Sequence, residues 1–266
     1  MPRDQPIIRV RDVTKRFGDV EVLRGVSFDV MPGTTVCILG GSGGGKSTLL
    51  KVMFGAEPPT SGQVWIDGDD IAAARGRELD RIRRKFGVMF QSGAMLNSLS
   101  VAENVALPLR YHSKLDEDTI ATTVKIKLHQ VDLLHAADRL PSQLSGGMLK
   151  RAAVARALAL DPKILFYDEP SAGLDPIATT RVDQLINDLK HAMGITNCVV
   201  THVMESVERI ADQVVMLDRG AVVLDGSLEE LNASEDPRVQ QFREGGLRGP
   251  QSGVVSTQDY LRDLLL

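Results

Sequence analysis

The sequence has no long apolar run: over its 266 residues, no stretch approaches the roughly 20 that cross a bilayer. The first residues are not followed by the apolar stretch of a secretory signal peptide. Cysteine is scarce, and Cys37 and Cys198 each lie inside an apolar β-like run, which favours buried reduced thiols over a disulfide. These absences predict a chain that acts in the cytosol or on the cytosolic face of a membrane.

A basic surplus is also missing. The formal net charge is -4, which argues against nucleic acid as the main partner because little positive charge is left to neutralise phosphates. One basic cluster, 81–85, is either a local contact site or the solvated face of a helix, and the second interpretation is favoured. The 43% hydrophobic and 25% charged residues are typical of a globular domain.

The pattern of apolar residues divides the chain into three parts. Residues 7–30 alternate apolar and polar, as strands with one polar face do, and residues 35–39 form a continuous apolar run typical of a buried parallel strand. From about 92 to 160 no β-like run occurs and the spacing is helical, which predicts a helical lobe. Strand and helix patterns then alternate again, so we predict one α/β domain over 7–243.

A glycine-rich segment follows the apolar run 35–39. It fits the phosphate-binding pattern G-x-x-x-x-G-K-[ST] and precedes a helix predicted to start at Lys46. Backbone N–H groups and a helix N-terminus attract phosphate, Lys46 can reach the β- and γ-phosphates, and Ser47 can offer its hydroxyl to Mg²⁺. The alternative, a glycine-rich turn that fits by chance, is disfavoured by this context. The predicted ATP-binding residues here are Gly40, Gly41, Ser42, Gly43, Gly44, Gly45, Lys46, Ser47 and Thr48.

Three polar side chains follow later apolar runs. Asp168 and Glu169 end the run 164–167, at the strand end where ligands bind in open α/β sheets. We predict that Asp168 holds Mg²⁺ and that Glu169 orients the attacking water or accepts its proton. The run 198–201 ends at His202, and this position favours sensing of the γ-phosphate over a purely structural histidine.

Further motifs occur in an order that resembles the ATPases of ABC transporters. Residues 144–148 resemble the family's signature, whose usual form ends in Gln, and 171–175 resemble its D-loop. The resemblance runs from Phe17, in place of the adenine-stacking aromatic, to His202. It implies an α/β fold, with a P-loop NTPase core, an N-terminal antiparallel β subdomain and an inserted helical lobe. It also implies Gln91 as the Q-loop residue, catalytic and bound to Mg²⁺. The nucleotide-binding residues that it adds are Phe17, Ser145, Gly146, Gly147 and Asp175.

The signature has a physical interpretation of its own. Ser145 and its glycines precede a helix, so they form a second anion-binding helix N-terminus. In the family, each nucleotide lies between the phosphate loop of one subunit and the signature of the other. A chain with one of each therefore implies a homodimer with two composite ATP sites.

A narrower resemblance is to the ATPases of Mce-type lipid transporters, which include the Mla phospholipid system. It is carried by Met148 in place of Gln and by 91–101 and 175–177. It implies ATP hydrolysis coupled to phospholipid transport, integral-membrane permease subunits, an Mce-type lipid-binding protein, and a peripheral position on the cytoplasmic face of the bacterial inner membrane. The alternatives are transport of another solute, a non-transport ABC ATPase, and a binding-only cassette. Intact Lys46, Glu169 and His202 oppose the last.

Two segments are predicted to dock on partners. Residues 93–99 are small and apolar for a loop and suit a permease helix, with Met95 and Leu99 as the side chains to test; the alternative is a loop packed on its own lobe. The C-terminal extension 244–266 is a glycine-rich linker followed by an apolar segment, which is either a frayed end or a docking segment. The resemblance favours docking of Tyr260 and the leucine after it in the partner protomer.

Overall fold

The computed structural model describes residues 5–244. All but the first residue of the predicted extension 244–266 lies outside the described residues, and so does the predicted docking of Tyr260. Within the described part, no helix is long and apolar enough to cross a membrane.

The described residues form two β-sheets. The first is antiparallel, in the order β2-β1-β4-β5. The second has the order β10-β9-β3-β8-β7-β6 and is parallel except at its β10 edge. The strands are β1 (Ile8–Phe17), β2 (Val20–Val30), β3 (Thr35–Gly40), β4 (Ser61–Ile66), β5 (Asp69–Asp70), β6 (Phe86–Met89), β7 (Ile164–Asp168), β8 (Thr196–Val200), β9 (Gln213–Asp218) and β10 (Ala221–Gly226).

Helices cover both faces of the parallel sheet, and several begin at side-chain caps. Asp175 accepts a hydrogen bond from the N–H of Ala178 at 2.9 Å, with Pro176 as the first helical residue. Ser227 and Glu230 form a capping box. The helices are α1 (Lys46–Met53), α2 (Gly76–Arg83), α3 (Val101–His112), α4 (Glu117–Gln130), α5 (Gly146–Ala157), α6 (Pro176–Met193), α7 (Met204–Ile210), α8 (Leu228–Ala233) and α9 (Pro237–Arg243), with 3-10 turns at Leu134–Ala136 and Pro141–Gln143.

The parallel sheet separates two apolar cores. Every residue of β3 and β8 is buried, as expected for strands covered on both faces. One core joins the sheet to α3, α4, α5 and α6, and the other joins it to α1 and the antiparallel sheet. Cys37 belongs to the first core and Cys198 to the second, and both thiols are buried and free, as predicted. Burial raises the pKa of both thiols well above the usual range.

Parallel pairing brings the carboxyl ends of three strands to one edge. Val36 on β3 pairs with Cys198 on β8, and Asp168 on β7 pairs with Val200 on β8. The chain after Gly40, the end of β7 and the segment after Val200 therefore meet at the same edge of the sheet. This edge is where open α/β sheets bind ligands.

The structure confirms the predicted fold class, and the described chain between β6 and β7 contains helices and 3-10 turns but no strand. One strand start differs from its prediction: the apolar pattern placed it at Cys198, but β8 begins at Thr196. Thr196 and Asn197 are polar but fully buried, because groups on other strands and turns form hydrogen bonds with their side chains. Thr196 Oγ1 accepts from the N–H of Gly33 at 2.9 Å, and Asn197 Oδ1 accepts from Tyr167 Oη at 3.3 Å.

Candidate active site

The glycine-rich loop between β3 and α1 is held in a shape that larger residues do not fit. Gly40 has φ 144°, and a Cβ added there would lie 2.2 Å from the carbonyl oxygen of Leu217. Gly45 has φ 97°, and its Cβ would lie 2.9 Å from Leu23 Cδ2. Both positions therefore require glycine. The loop closes on itself where Gly44 N–H donates to the carbonyl of Gly41 at 3.1 Å.

Helix α1 opens directly from this loop. Its N-cap residue, Gly45, has no side chain that could accept from the first-turn N–H groups, which leaves them for an anion. Lys46 Nζ donates to the carbonyls of Gly40 and Gly41 at 2.8 and 3.0 Å, so the ammonium lies at the loop. Burial lowers the pKa of Lys46, while the nearby carboxylates of Glu169 and Asp168 act in the opposite direction.

The side-chain oxygens of Ser47 and Asp168 meet near Lys46. Ser47 Oγ donates to Asp168 Oδ1 at 3.4 Å across 121 positions of sequence. Burial raises the pKa of Asp168, the charge of Glu169 raises it further, and the bond from Ser47 lowers it. A carboxylate beside a second carboxylate and a hydroxyl is the hard oxygen environment that Mg²⁺ prefers.

Glu169 and His202 lie next to each other at the ends of β7 and β8. The backbone of Glu169 has φ 50°, a left-handed conformation rare for this residue type, and its N–H donates to Val200 O at 2.9 Å. His202 Nδ1 lies 2.8 Å from Glu169 Oε2. Although this is an ion-pair distance, Oε2 is buried and receives no hydrogen bond of good geometry from residues 5–244. Oε2 therefore faces the imidazole of His202 rather than solvent.

Comparisons with known proteins decide the family. Residues 23–172 match the family model described as ABC transporter. The chain belongs to the ABC transporter family. It is 41% identical over 261 residues to the intermembrane phospholipid transport system ATP-binding protein MlaF of Haemophilus influenzae, with 98% of this chain and 99% of that protein covered.

Two further relatives show how far this likeness extends. The chain is 41% identical over 243 residues to the probable ribonucleotide transport ATP-binding protein mkl of Mycobacterium leprae, covering 91% of this chain and 70% of that protein. The post-hydrolysis dimer of the ATP-binding cassette MJ0796 bound to ADP and Pi has a TM-score of 0.76 and 32% identity, over 83% of this chain and 98% of that one.

The segments that resemble the ABC signature and the D-loop line a second groove together. Ser145 caps α5 by accepting from Met148 N–H at 3.3 Å, and Gly147 and Asp175 line the same groove. A Cβ at Gly146 would lie 3.1 Å from Leu174 Cδ2 and one at Gly147 would lie 3.3 Å from Ala178 Cβ. The glycines therefore allow the start of α5 to lie close to the D-loop and to the first turn of α6. The carboxylate of Asp175 is itself occupied as the α6 cap.

The residue predicted to stack on adenine lies outside the phosphate loop in sequence, and its ring is partly exposed. Phe17 ends β1 and is 48% exposed. Lys15 Nζ lies 4.7 Å from its ring centroid, a cation–π contact that covers one face. Thr48, in the first turn of α1, is half-buried.

Gln91 is placed by a residue that the sequence did not single out. Its side chain is exposed, and its backbone carbonyl accepts from Lys150 Nζ, which also donates to the carbonyl of Glu169 at 3.3 Å. Lys150 is only 6% exposed on α5. Burial lowers the pKa of Lys150, and the charges of Glu169 and Asp168 oppose that shift. One sequence signal could have indicated it: a lysine among the apolar positions of the signature helix.

Proposed function

We propose that this chain is the ATP-hydrolysing subunit of an ABC transporter that moves phospholipid across the cell envelope and maintains lipid asymmetry. The observation that carries the nucleotide chemistry is the convergence of Lys46, Ser47, Asp168, Glu169 and His202 on one edge of the parallel sheet. These are the side chains expected to bind phosphate, to hold a metal and to activate water.

Each residue has a separate part in hydrolysis. The loop N–H groups and Lys46 bind the phosphates of ATP and keep the γ-phosphate in one orientation. The Glu169 carboxylate accepts a hydrogen bond, and then a proton, from the attacking water. His202, next to Glu169 Oε2, orients the carboxylate and responds to the γ-phosphate.

The oxygen pair of Ser47 and Asp168 fits Mg²⁺, and Gln91 is proposed as a further ligand. No group of three or more His, Cys, Asp and Glu side chains is placed to hold a metal within residues 5–244. The remaining ligands are then phosphate oxygens and waters, as is usual for Mg²⁺ at nucleotides. When bound, the ion neutralises charge on the phosphates.

The active unit is proposed to be a homodimer. Ser145 and Gly147 line the second groove, where the N-terminus of α5 is suited to binding an anion. Two copies facing each other place this groove over the ATP held by the partner's loop. The cassette MJ0796, whose structure with ADP and Pi is dimeric, supports this arrangement.

Phospholipid is proposed as the cargo because the MlaF match spans both chains almost completely. The mkl relative, named for probable ribonucleotide transport, is equally identical but matches over only 70% of its length. The partners that follow are integral-membrane permease subunits and an Mce-type lipid-binding protein. The chain then acts at the cytoplasmic face of the bacterial inner membrane.

The permease is proposed to dock on the loop after Gln91. Asn104, fully buried in α3, accepts from Leu96 N–H at 2.8 Å and donates to the carbonyls of Leu96, Leu99 and Ser100. This side chain fixes the loop and turns Leu96 outward, 49% exposed. Met95, by contrast, packs against the apolar core of its own lobe. Leu96 is therefore a better test of docking than Met95.

Affinity purification of the tagged chain from membranes tests the transport role. A permease together with an Mce-domain protein and bound phospholipid is expected. Recovery of ribosomes, or of a permease whose reconstituted transport activity is specific for nucleotides, would contradict the proposal. A Leu96→Asp variant serves as control, because it should fold and bind ATP but recover less permease.

A further inference from the structure

Helix α5 is attached to the nucleotide-site loops by two cationic side chains. Lys150 Nζ donates to the backbone carbonyls of Gln91 and Glu169. Six residues later, Arg156 donates from its two terminal nitrogens to the carbonyls of Gly93 and Ala94, at 2.8 and 2.6 Å. The same helix begins at the signature, so one rigid element is connected to both loops of the site.

Between these two contacts the loop backbone lies directly on the helix. A Cβ added at Gly93 would be 3.6 Å from Leu149 Cγ and 3.7 Å from Ala153 Cβ. Gly93 and Ala94 both have positive φ, 75° and 48°, so the loop turns sharply where it meets α5. The position of the chain after Gln91 is thus set by α5.

The hydrogen bonds of Lys150 indicate that this buried lysine does more than fill space in the core. It is buried, yet it donates hydrogen bonds to carbonyl oxygens on two separate segments, 59 and 19 positions away. Burying a charge is costly unless its donors are satisfied. An ammonium has three donors on one atom, so it can serve both carbonyls at once, which an apolar side chain cannot.

The contact at Glu169 acts on a strained residue. Glu169 has φ 50°, and its N–H donates to the carbonyl of Val200. Its own carbonyl accepts from Ala172 N–H at 3.2 Å and from Lys150 Nζ at 3.3 Å. The direction of its carboxylate follows from this backbone conformation. Without Lys150, the carbonyl keeps only the bond from Ala172, which lies three residues further along the same turn, and loses its connection to α5.

From these contacts we infer that Lys150 is a positioning residue that couples the signature helix to the catalytic Glu169 and to Gln91. When α5 moves with its signature end, Lys150 carries the movement to both backbone carbonyls. Hydrolysis is then fastest when the signature is in contact with the ATP held by the partner subunit. This inference rests on the proposed function, because it assumes that Glu169 activates the water.

The test measures steady-state ATP hydrolysis and equilibrium nucleotide binding in the full chain. Lys150→Met, similar in length but without donors, is expected to lower kcat roughly ten-fold to hundred-fold, since about 1 Å of misplacement can cost 10²-fold. KM for ATP and nucleotide affinity should stay within about two-fold. Lys150→Arg, which keeps the donors, should recover most of kcat.

Lys127 provides a matched control. It is a lysine of the same lobe, 3% exposed, and its Nζ donates to Asp161 Oδ1 at 2.5 Å rather than to the carbonyls of Gln91 and Glu169. Lys127→Met should lower stability but leave kcat per folded molecule within about two-fold. Wild-type kcat in folded Lys150→Met, or an equal loss of kcat in both variants, would overturn the inference.

Two further variants keep the outcomes separate. If Lys150→Met does not fold, Lys150→Gln replaces it, because the glutamine side chain is one bond too short to reach both carbonyls. Lys150→Gln should have a lower kcat than Lys150→Arg at the same KM. Equal kcat in these two variants would overturn the inference. Glu169→Gln in the same assay checks the proposed function. If it hydrolyses ATP at the wild-type rate, the catalytic assignment fails and the inference with it; if it is inactive while Lys150→Met is normal, only the inference fails.

Discussion

His202 Nδ1 lies 2.8 Å from Glu169 Oε2, although 33 positions of sequence, including helix α6 and strand β8, separate the residues. The carboxylate side chain is 13% exposed and the imidazole 61% exposed. The histidine is therefore the solvent-facing member of the pair, and the glutamate is the member held in the protein. Under the proposed function, a change at the γ-phosphate reaches the buried carboxylate through this ring.

Glu169→Gln removes the proton acceptor while it keeps the size of the side chain. We expect ATP binding to be unchanged and kcat to fall by roughly 10²–10⁴-fold, the usual contribution of a general base. Steady-state hydrolysis and equilibrium nucleotide binding measure the two effects. Glu208→Gln, on the exposed face of α7, is the control and should behave as wild type. Wild-type turnover in Glu169→Gln would disprove the assignment.

Lys46→Ala acts on binding itself. The ammonium at the loop provides charge-assisted hydrogen bonds worth roughly 1.5–3 kcal/mol, so ATP affinity should fall roughly ten-fold to hundred-fold. Calorimetric titration with ATP measures this change. Lys51→Ala, exposed on the same helix, should keep wild-type affinity. Equal affinities for both variants would contradict the proposed position of the phosphates.

Leu96→Asp places a charge on the proposed permease contact. Because burial of one large apolar side chain is worth roughly 1.5–3 kcal/mol, recovery of permease with the tagged variant should fall by ten-fold or more. Nucleotide affinity should be normal, since Asn104 still holds the loop. Ile126→Asp, equally exposed on α4, should not affect recovery. Met95→Asp should lower thermal stability, because Met95 packs against the core.

Asp67 connects the two sheets through lysines, and this contact should depend on pH. Its Oδ2 lies 3.1 Å from Lys85 Nζ and 3.0 Å from Lys163 Nζ. Burial opposes its charge, but the hydrogen bonds from Lys163 and Lys85 outweigh burial and lower the pKa of Asp67. A lowered folded-state pKa means that the carboxylate stabilises the fold above its unfolded-state pKa of about 3.9 and loses this effect as the pH falls through the folded-state pKa.

Asp67→Asn should therefore reduce the free energy of unfolding near pH 7 by about 1.5–3 kcal/mol. The difference from wild type should shrink as the pH is lowered below about 4. Asparagine tolerates the positive φ of 47° at this position, so backbone strain is not added. Denaturant unfolding at several pH values measures the effect, with Asp132→Asn, an exposed carboxylate with φ 55°, as the neutral control. A constant difference across pH would exclude the ionic explanation.

Local features of the chain were predictable because their causes are local. The phosphate loop, the start of α1 at Lys46, and the α6 cap at Asp175 depend on residues a few positions apart. Strand β10 and helix α9 were not predicted. β10 is a partly exposed edge strand whose partner β9 decides its conformation, and its own apolar pattern is weak.

The sequence by itself determined the α/β class, the family motifs and the residue types of the site, since each is written in short patterns of glycine, charge and apolar spacing. Only the tertiary structure decided which side chains meet. The contact of Lys150 with Gln91 and Glu169, and the outward direction of Leu96, depend on elements distant in sequence that pack together. Hydrogen bonds across such distances are set by the packing of whole helices and sheets, and no local pattern encodes them.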